Sequence, residues 1–164
     1  MSDQPLFRFY PNAYAEDGAF RRSDHTCNIC ERDAVWLYAG GIYMEGDEPA
    51  VCARCMADGS LRRKLPKQSY ALQDAMIEGA DPALVEEILT ATPEVACINT
   101  FEWPVIDGMP LAFLGEGDSA PLKSDPAVRA AIREVFDGED AHGSHALVFR
   151  TLDGKTTVAI ADLD

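Results

Sequence analysis

The sequence predicts an α+β fold in which helices pack on an antiparallel sheet and a zinc-ribbon-like four-cysteine module lies near the N-terminus. Three observations carry this prediction. Two Cys-x-x-Cys pairs flank a β-prone stretch, two Asp-Pro pairs each precede an amphipathic stretch, and two β-prone runs flank Asp153-Gly154. Strands and helices that segregate along the chain, rather than alternating regularly, are typical of the α+β class.

The stretch between the cysteine pairs predicts a β-hairpin over residues 35–44. Gly40 and Gly41 lie at its centre and can supply the positive φ angles of a tight turn. After the second pair, residues 56–65 predict a short helix, and residues 69–78 predict another helix that ends near Gly79.

The second half of the chain contains two clear helix starts. Asp81-Pro82 and Asp125-Pro126 each place an N-capping aspartate before a proline that fits the first helical turn. An apolar stripe at helical spacing follows each pair. Strands are predicted at residues 96–103, 111–114, 146–151 and 156–161. The last two flank Asp153-Gly154 and predict a terminal hairpin.

A weak boundary near Pro66-Lys67 divides the chain into residues 1–66 and residues 67–164. The first portion holds the N-terminal strip and the cysteine module. The second is an α+β portion packed against the first, and the two could together form one compact domain. Sixty-six residues are few for an independent core, so a bound metal would help the first portion to fold.

The chain is acidic, with 14 basic and 28 acidic residues and a net charge of −14. Residues 83–164 hold 5 of the basic and 15 of the acidic residues. Such a charge disfavours binding to nucleic acids or anionic membranes and suits either solubility alone or a basic partner. The sequence has no apolar run long enough to span a membrane and no signal peptide, so a cytoplasmic protein is expected.

The strongest motif is formed by Cys27, Cys30, Cys52 and Cys55, in the pattern C-x2-C-x21-C-x2-C. A two-residue insert lets a tight knuckle direct both sulfurs at one ion, and two knuckles complete a tetrahedron. Soft thiolates favour zinc over magnesium or calcium. Four cysteines leave no open position, so the sequence predicts one structural Zn²⁺. Redox-active disulfides and an iron–sulfur centre remain alternatives.

Other candidate residues have weaker patterns. His25 lies close to the first pair and is interpreted as a surface histidine rather than a ligand, while Cys97 is interpreted as a buried small side chain rather than a nucleophile. His142 and His145 lie in an acidic, glycine-rich loop. The basic cluster is a possible binding surface, and its residues are Arg62, Arg63, Lys64 and Lys67.

Aromatic side chains in the predicted hairpin could stack on bases, although packing is the simpler interpretation: Trp36, Tyr38 and Tyr43. No deaminase, phosphate-binding or metalloprotease motif is present in the sequence. The sequence therefore predicts no enzymatic activity.

A resemblance to a family rests on several strings in order. The aromatic strip Phe7-Arg8-Phe9-Tyr10-Pro11 precedes the first pair, and the second pair opens Cys-x-x-Cys-x-Ala-Asp-Gly-Ser over residues 52–60. Glu86-Glu87-Ile88-Leu89, Thr92-Pro93 and Ala112-Phe113-Leu114-Gly115 follow. Together these strings resemble the CbrC family, bacterial zinc-binding proteins linked to colicin tolerance. That resemblance implies zinc binding but no reaction.

Three functions follow from these observations. The first is a non-enzymatic zinc-binding protein that acts through protein contacts in a bacterial stress or bacteriocin-tolerance context. The second is an acidic, immunity-like protein that neutralises a basic toxin. The third is a zinc ribbon that binds nucleic acid through its basic cluster, which the net charge makes less favourable.

Overall fold

The computed structural model describes residues 3–66, 69–138 and 145–163. In these residues short helices combine with small, mostly antiparallel sheets, so the α+β class is confirmed. Contacts group the chain into two compact units, which interleave along the sequence. Unit 1 comprises Met1–Phe7, Ala13–Asp74 and Pro82–Val95, and unit 2 comprises Arg8–Asn12, Ala75–Asp81 and Ala96–Asp164.

Each unit takes residues from both sides of the predicted boundary near Pro66. The division into residues 1–66 and 67–164 stays a prediction, because grouping by contacts does not test independent folding. The predicted cysteine module lies within unit 1, at residues 27–55 rather than strictly at the N-terminus.

In its described residues, unit 1 combines four short strands with three helices. They are β1 (Phe20–Arg22), β2 (Trp36–Tyr38), β3 (Tyr43–Met44), α1 (Ala53–Ala57), α2 (Ser60–Lys64), β4 (Tyr70–Ala71) and α3 (Pro82–Ala91). Two antiparallel pairs, β1 with β2 and β3 with β4, join segments that are distant in sequence. Helix α3 begins at Pro82, as the Asp-Pro pair predicts.

The predicted hairpin over residues 35–44 is wrong, because β2 and β3 pair with other strands rather than with each other. Neither Gly40 nor Gly41 adopts a positive φ angle. The Glu94 carboxylate instead accepts a hydrogen bond from the Gly41 N–H at 2.8 Å, and the Tyr38 hydroxyl donates to the Gly41 carbonyl at 3.0 Å. Contacts that are remote in sequence therefore hold this segment away from a tight turn.

The predicted helix over residues 69–78 is also wrong, because the segment contains β4 and a further short strand, Ala75–Met76. The Leu72 N–H donates to the Leu89 carbonyl at the end of α3, at 2.8 Å. The buried Gln73 side chain donates to the Pro93 carbonyl and accepts from the Val95 N–H. These contacts outweigh a helical periodicity that is only three apolar residues long.

Unit 2 is built on a three-stranded antiparallel sheet with the order β11-β10-β9. Its elements are β5 (Ala75–Met76), β6 (Phe101–Glu102), β7 (Val105–Ile106), β8 (Met109–Pro110), β9 (Ala112–Glu116), α4 (Pro126–Val135), β10 (Ala146–Arg150) and β11 (Thr157–Ala161). The pairing of β10 with β11 confirms the terminal hairpin. Strand β6 covers only the end of the predicted strand over residues 96–103, and it pairs in parallel with β5.

Helix α4 covers one face of this sheet. Asp125 caps the helix by accepting from the Ala127 N–H at 2.8 Å, as the sequence predicts. Val128 and Ile132 pack with Val148 of β10 in a fully or nearly fully buried cluster. The opposite face carries aromatic side chains, which are Tyr10, Phe101, Trp103, Phe113 and Phe149.

Among the residues that the structure describes, no helix combines the length and the apolar character that crossing a bilayer requires.

Candidate metal centre

The first cysteine pair lies in a tight turn whose ends are held together by the backbone. The Cys27 N–H donates to the Arg32 carbonyl at 2.9 Å, and the Glu31 N–H donates back to the Cys27 carbonyl at 2.8 Å. A short antiparallel bridge between Thr26 and Asp33 closes the turn from outside. The segment therefore has the knuckle form that the Cys-x-x-Cys spacing predicts.

Glu31, which follows the second cysteine of this turn, has a φ angle of 58°. Glycine adopts this left-handed conformation at little cost, whereas a residue with a Cβ atom is strained there. The Glu31 side chain is 83% exposed, and its carboxylate lies 3.7 Å from the Lys64 ammonium. The turn thus has the backbone shape of a glycine-containing knuckle although its sequence has no glycine.

The second pair belongs to a helix start rather than to a second knuckle, which corrects the predicted two-knuckle arrangement. Cys52 immediately precedes α1, and Cys55 lies within its first turn. The Met56 N–H donates to the Cys52 carbonyl at 3.2 Å, and an antiparallel bridge joins Cys52 to Leu37. Because residues three apart on a helix share a face, this start directs both sulfurs to the same side.

The four thiol sulfurs converge, with all of them within 4.8 Å of one another. The Cys30 and Cys52 sulfurs are 4.0 Å apart. Sulfurs at the corners of a tetrahedron around zinc, with Zn–S distances of about 2.3 Å, lie about 3.8 Å apart. Cys27, Cys52 and Cys55 are buried and Cys30 is half-buried, and none of the four forms a disulfide. The donor set therefore fits a tetrahedral metal ion.

Hydrogen bonds to the Cys27 sulfur favour its thiolate form. Burial by itself raises the pKa of Cys27, but backbone N–H groups of Cys30, Cys52 and Ile29 point at the sulfur, and the net effect lowers the pKa. The Cys52 and Ile29 donors lie 3.2 and 3.4 Å from it. Such N–H groups also stabilise a metal-bound sulfur, because a free thiolate and a metal-bound sulfur both carry negative charge.

The pKa values of the other two buried thiols, Cys52 and Cys55, are raised when no cation is present. Burial, followed by the neighbouring thiols, raises the pKa of Cys55, and burial also raises the pKa of Cys52. Four thiolates this close repel one another and are poorly solvated. A bound metal ion would supply the positive charge that lets all four sulfurs ionise together.

Asn28 and Lys64 tie the cysteine-bearing segments together, a role that the sequence analysis did not predict for either residue. The Asn28 side chain accepts from the Ala50 N–H at 2.7 Å, while the Asn28 N–H donates to the Ala50 carbonyl at 2.8 Å. The Lys64 ammonium donates to the carbonyls of Asn28 and Ile29, at 2.8 and 3.4 Å. Neither residue belongs to a motif that indicates such a contact, and each contact joins residues more than twenty positions apart.

Most of the predicted basic surface is engaged within unit 1. Arg62 is half-buried, donates to the Thr90 hydroxyl and lies 3.5 Å from the Glu86 carboxylate. Arg63 donates to the Asp58 carbonyl at 3.0 Å and remains 69% exposed. Lys64 contacts the first cysteine turn, as described above. Lys67 lies outside the described residues.

Among the remaining candidates, those that the structure describes do not join the cysteine cluster. His25 is an exposed residue whose ring bonds the Asp24 carboxylate at 2.9 Å, and Cys97 is half-buried in unit 2. The His145 carbonyl accepts from the Asp162 N–H at 2.8 Å. His142 lies outside the described residues.

The aromatic residues of the predicted hairpin have packing or hydrogen-bonding roles. Trp36 packs edge-on against Tyr14, with the Arg22 guanidinium over its ring. The hydroxyl of Tyr43 donates to the Glu94 carboxylate at 2.6 Å, and Tyr38 packs on Phe20.

These features define a protein with an α+β fold and a cluster of four cysteines that could hold a metal ion. The model of the family described as Uncharacterised protein family (UPF0167) matches residues 4–157, and the chain belongs to that family. The expected membership of the CbrC family is therefore wrong, and with it the link to colicin tolerance loses its support.

Two relatives carry the same family name. The UPF0167 protein Mb2317 of Mycobacterium bovis is 27% identical over 137 residues, which cover 83% of this chain and 73% of the relative. The UPF0167 protein MT2352 of Mycobacterium tuberculosis matches with the same identity and the same coverage. No solved structure matches the chain.

Proposed function

We propose that this chain is a non-enzymatic zinc-binding protein whose four cysteines hold one structural Zn²⁺ and which acts through contacts with other proteins in the cytoplasm. The convergence of the four sulfurs within 4.8 Å, three of them buried, carries the proposal. An all-thiolate tetrahedral site suits zinc because the ion is soft enough for sulfur and has no electronic preference for another geometry.

The site is proposed as structural because four protein ligands fill a tetrahedral ion. Such a site leaves no position for a substrate or an activated water. Its sulfurs come from a turn around Cys27 and a helix start at Cys52, so a bound ion would join two segments that are separated in sequence. Metal binding at structural zinc sites contributes about 10–16 kcal/mol, comparable with the whole stability of a domain.

Protein contacts are favoured over nucleic-acid binding by charge. The net charge of −14 repels phosphate, and four sulfur anions with one Zn²⁺ would add further negative charge to unit 1. Arg62 and Lys64, which could have formed a basic surface, contact the protein itself. A partner with basic groups fits this charge best.

The deciding experiment measures metal content and reactive thiols on the full chain purified without added metal. One zinc per chain, no visible absorption of an iron–sulfur centre and one thiol that reacts under native conditions, from Cys97, are expected. A metal-free protein with fewer than five thiols after denaturation would mean that the cysteine pairs form disulfides, and the proposal would be abandoned.

A matched pair of variants tests the structural role. Cys52→Ser removes one of the four sulfurs, so we expect loss of most bound zinc and unfolding of unit 1 at temperatures where the wild type is folded. Cys97→Ser changes a half-buried cysteine outside the cluster and should keep one zinc per chain. Unchanged thermal stability and chelator resistance in Cys52→Ser would contradict a structural metal site.

A further inference from the structure

An open groove of about 520 Å³ is lined by residues of unit 2. The four cysteines belong to unit 1. Val158 and Ile160 of β11 form one wall, and Val105 and Ile106 of β7 contribute to its lining. The volume is within the range of ligand-binding clefts. Ile106 is 37% exposed, so apolar surface continues to the rim of the groove.

The wall from β11 is a consequence of strand alternation. Val158 pairs with Phe149 and Ile160 pairs with Leu147, so these side chains lie on the aromatic face of the sheet. Ala159, between them, packs instead with the cluster beneath α4. The groove and helix α4 therefore lie on opposite faces of the same sheet.

Strand β11 is also an edge strand. It pairs with β10 on one side, and in the described part of the chain no strand pairs with its other side. Its five residues read Thr-Val-Ala-Ile-Ala, with no charged residue and no proline. Natural edge strands usually carry such residues to prevent pairing with other chains. An unguarded edge beside an apolar groove suits the addition of a further strand.

Two carboxylates set the charge of the groove. Glu78 and Glu102 both line it and both are exposed, and no described side chain forms an ion pair or hydrogen bond with either carboxylate. The sequence of unit 2 contains 14 acidic and 6 basic residues. Opposite charge in the occupant would therefore orient it and speed its encounter.

We propose that the groove and the edge of β11 bind an extended segment of a partner protein, whose groove-facing side chains include apolar residues and a lysine or arginine. The apolar side chains lie against Val158 and Ile160, and the basic group lies near Glu78 and Glu102. A second copy of this chain fits poorly, because it would bring the same acidic residues to the groove. The inference deepens the proposed function and rests on its statement that the protein acts through protein contacts.

The test uses the full zinc-loaded chain and a fluorescein-labelled heptapeptide. The peptide sequence is Thr-Leu-Thr-Lys-Thr-Leu-Thr. In an extended conformation the leucine and lysine side chains share one face. A second peptide has glutamate in place of lysine. A third has proline in place of the two threonines beside lysine, which removes backbone donors that strand addition needs. Fluorescence anisotropy should show saturable binding of the first peptide alone.

Matched variants locate the binding. Glu78→Gln/Glu102→Gln should weaken binding about threefold to thirtyfold, the range that two exposed ion pairs give. Glu134→Gln/Asp137→Asn removes the same charge at exposed positions on and just after α4 and should leave the affinity unchanged. Ile160→Thr keeps a strand-forming residue but removes apolar wall, and should also weaken binding.

Several outcomes would overturn the inference. They are absent binding of the lysine peptide, equal binding of the proline peptide, equal weakening by both charge pairs, or a dimer of the free protein that Ile160→Thr dissociates. Zinc is measured on the same preparation. A protein that holds zinc but ignores the peptide contradicts the groove alone, and a zinc-free protein that binds the peptide contradicts the metal site alone.

Discussion

Replacing Glu31 by glycine should stabilise the protein, although glycine usually destabilises a folded chain. Glu31 has a φ angle of 58° at the position that follows the second cysteine of the first turn. The side chain is 83% exposed and packs on little, so the substitution changes mainly the backbone energy. The variant therefore measures the strain that the first cysteine turn stores.

The magnitude follows from three contributions. A left-handed φ costs a residue with a Cβ atom about 1–2 kcal/mol, which glycine relieves. Glycine in turn loses about 0.5–1 kcal/mol through the greater freedom of its unfolded state. The exposed pair between Glu31 and Lys64, 3.7 Å apart, contributes a few tenths of a kcal/mol by the measure of surface ion pairs. The sum is a stabilisation of about 0.5 kcal/mol.

A neighbouring substitution provides the control for the entropic cost of glycine. Arg32→Gly changes an exposed residue whose φ angle is not positive, so it incurs the entropic cost of glycine with no strain to relieve. The difference between the two variants therefore gives the left-handed strain, about 1–2 kcal/mol, less the few tenths of a kcal/mol of the Glu31–Lys64 pair. For a chain of this length that corresponds to roughly 2–8 °C in the melting temperature.

The assay is thermal unfolding, with zinc added to every sample, of the wild type, Glu31→Gly, Glu31→Asn, Glu31→Val and Arg32→Gly. We expect the order glycine, asparagine, glutamate, valine at position 31, because asparagine tolerates the left-handed region and a β-branched residue does not. Equal melting temperatures of Glu31→Gly and Glu31→Val would refute the strained turn. So would equal destabilisation by Glu31→Gly and Arg32→Gly.

Three further changes test other contacts. Lys64→Met should lower the free energy of unfolding by about 1 kcal/mol, because the Lys64 ammonium donates to two backbone carbonyls of the cysteine turn. Arg63→Met should lower it by less than half of that, and urea titration measures both. The Arg150 guanidinium, 2.6 Å from the Asp125 carboxylate, and then the helix N–H groups hold the pKa of Asp125 below its ordinary value. The contribution of ionised Asp125 to the stability of the fold is therefore complete above about pH 4 and is lost on acidification. Arg150→Met should reduce that loss in melting curves recorded between pH 6 and pH 3. Asp162→Ala should cost about 2 kcal/mol and speed hydrogen exchange of the amides at positions 98 and 99, because the buried carboxylate accepts from both; unchanged exchange would contradict that role.

The elements that sequence reasoning predicted well are those with local causes. Asp125 caps α4 through its own side chain, and the apolar stripe that follows faces the sheet, so pattern and structure agree. The terminal hairpin likewise depends on two adjacent β-prone runs. Each of these elements is determined within one continuous segment, residues 125–135 for the capped helix and residues 146–161 for the hairpin.

The elements that it missed are determined by distant partners. Gly40-Gly41 is a good turn signal, but Glu94 bonds the Gly41 N–H, and β2 pairs with β1 instead. The segment around Gln73 satisfies its amide with carbonyls beyond the end of α3. No window of local sequence contains these partners, so local propensity could not have given the correct answer.

The candidate site shows the same division. The spacing of the four cysteines was sufficient to group them, because two short motifs fix which residues supply sulfur. The local structure of the second cysteine pair was not predictable from spacing, since a knuckle and a helix start share the Cys-x-x-Cys pattern. The role of Lys64 was hidden by its neighbours, which made it look like part of an exposed basic surface.

The contacts of the basic residues change how the charge of this chain should be understood. Arg54 lies 3.0 Å from Asp3, Arg62 lies 3.5 Å from Glu86 and Lys64 lies 3.7 Å from Glu31, so these cations are partly neutralised within unit 1. The carboxylates that line the groove of unit 2 have no such partners in the described structure. The potential that an approaching molecule meets is therefore negative at the groove. Association with a basic partner should be fast at low salt and should slow as ionic strength rises, whereas a partner held by apolar contacts alone would be insensitive to salt.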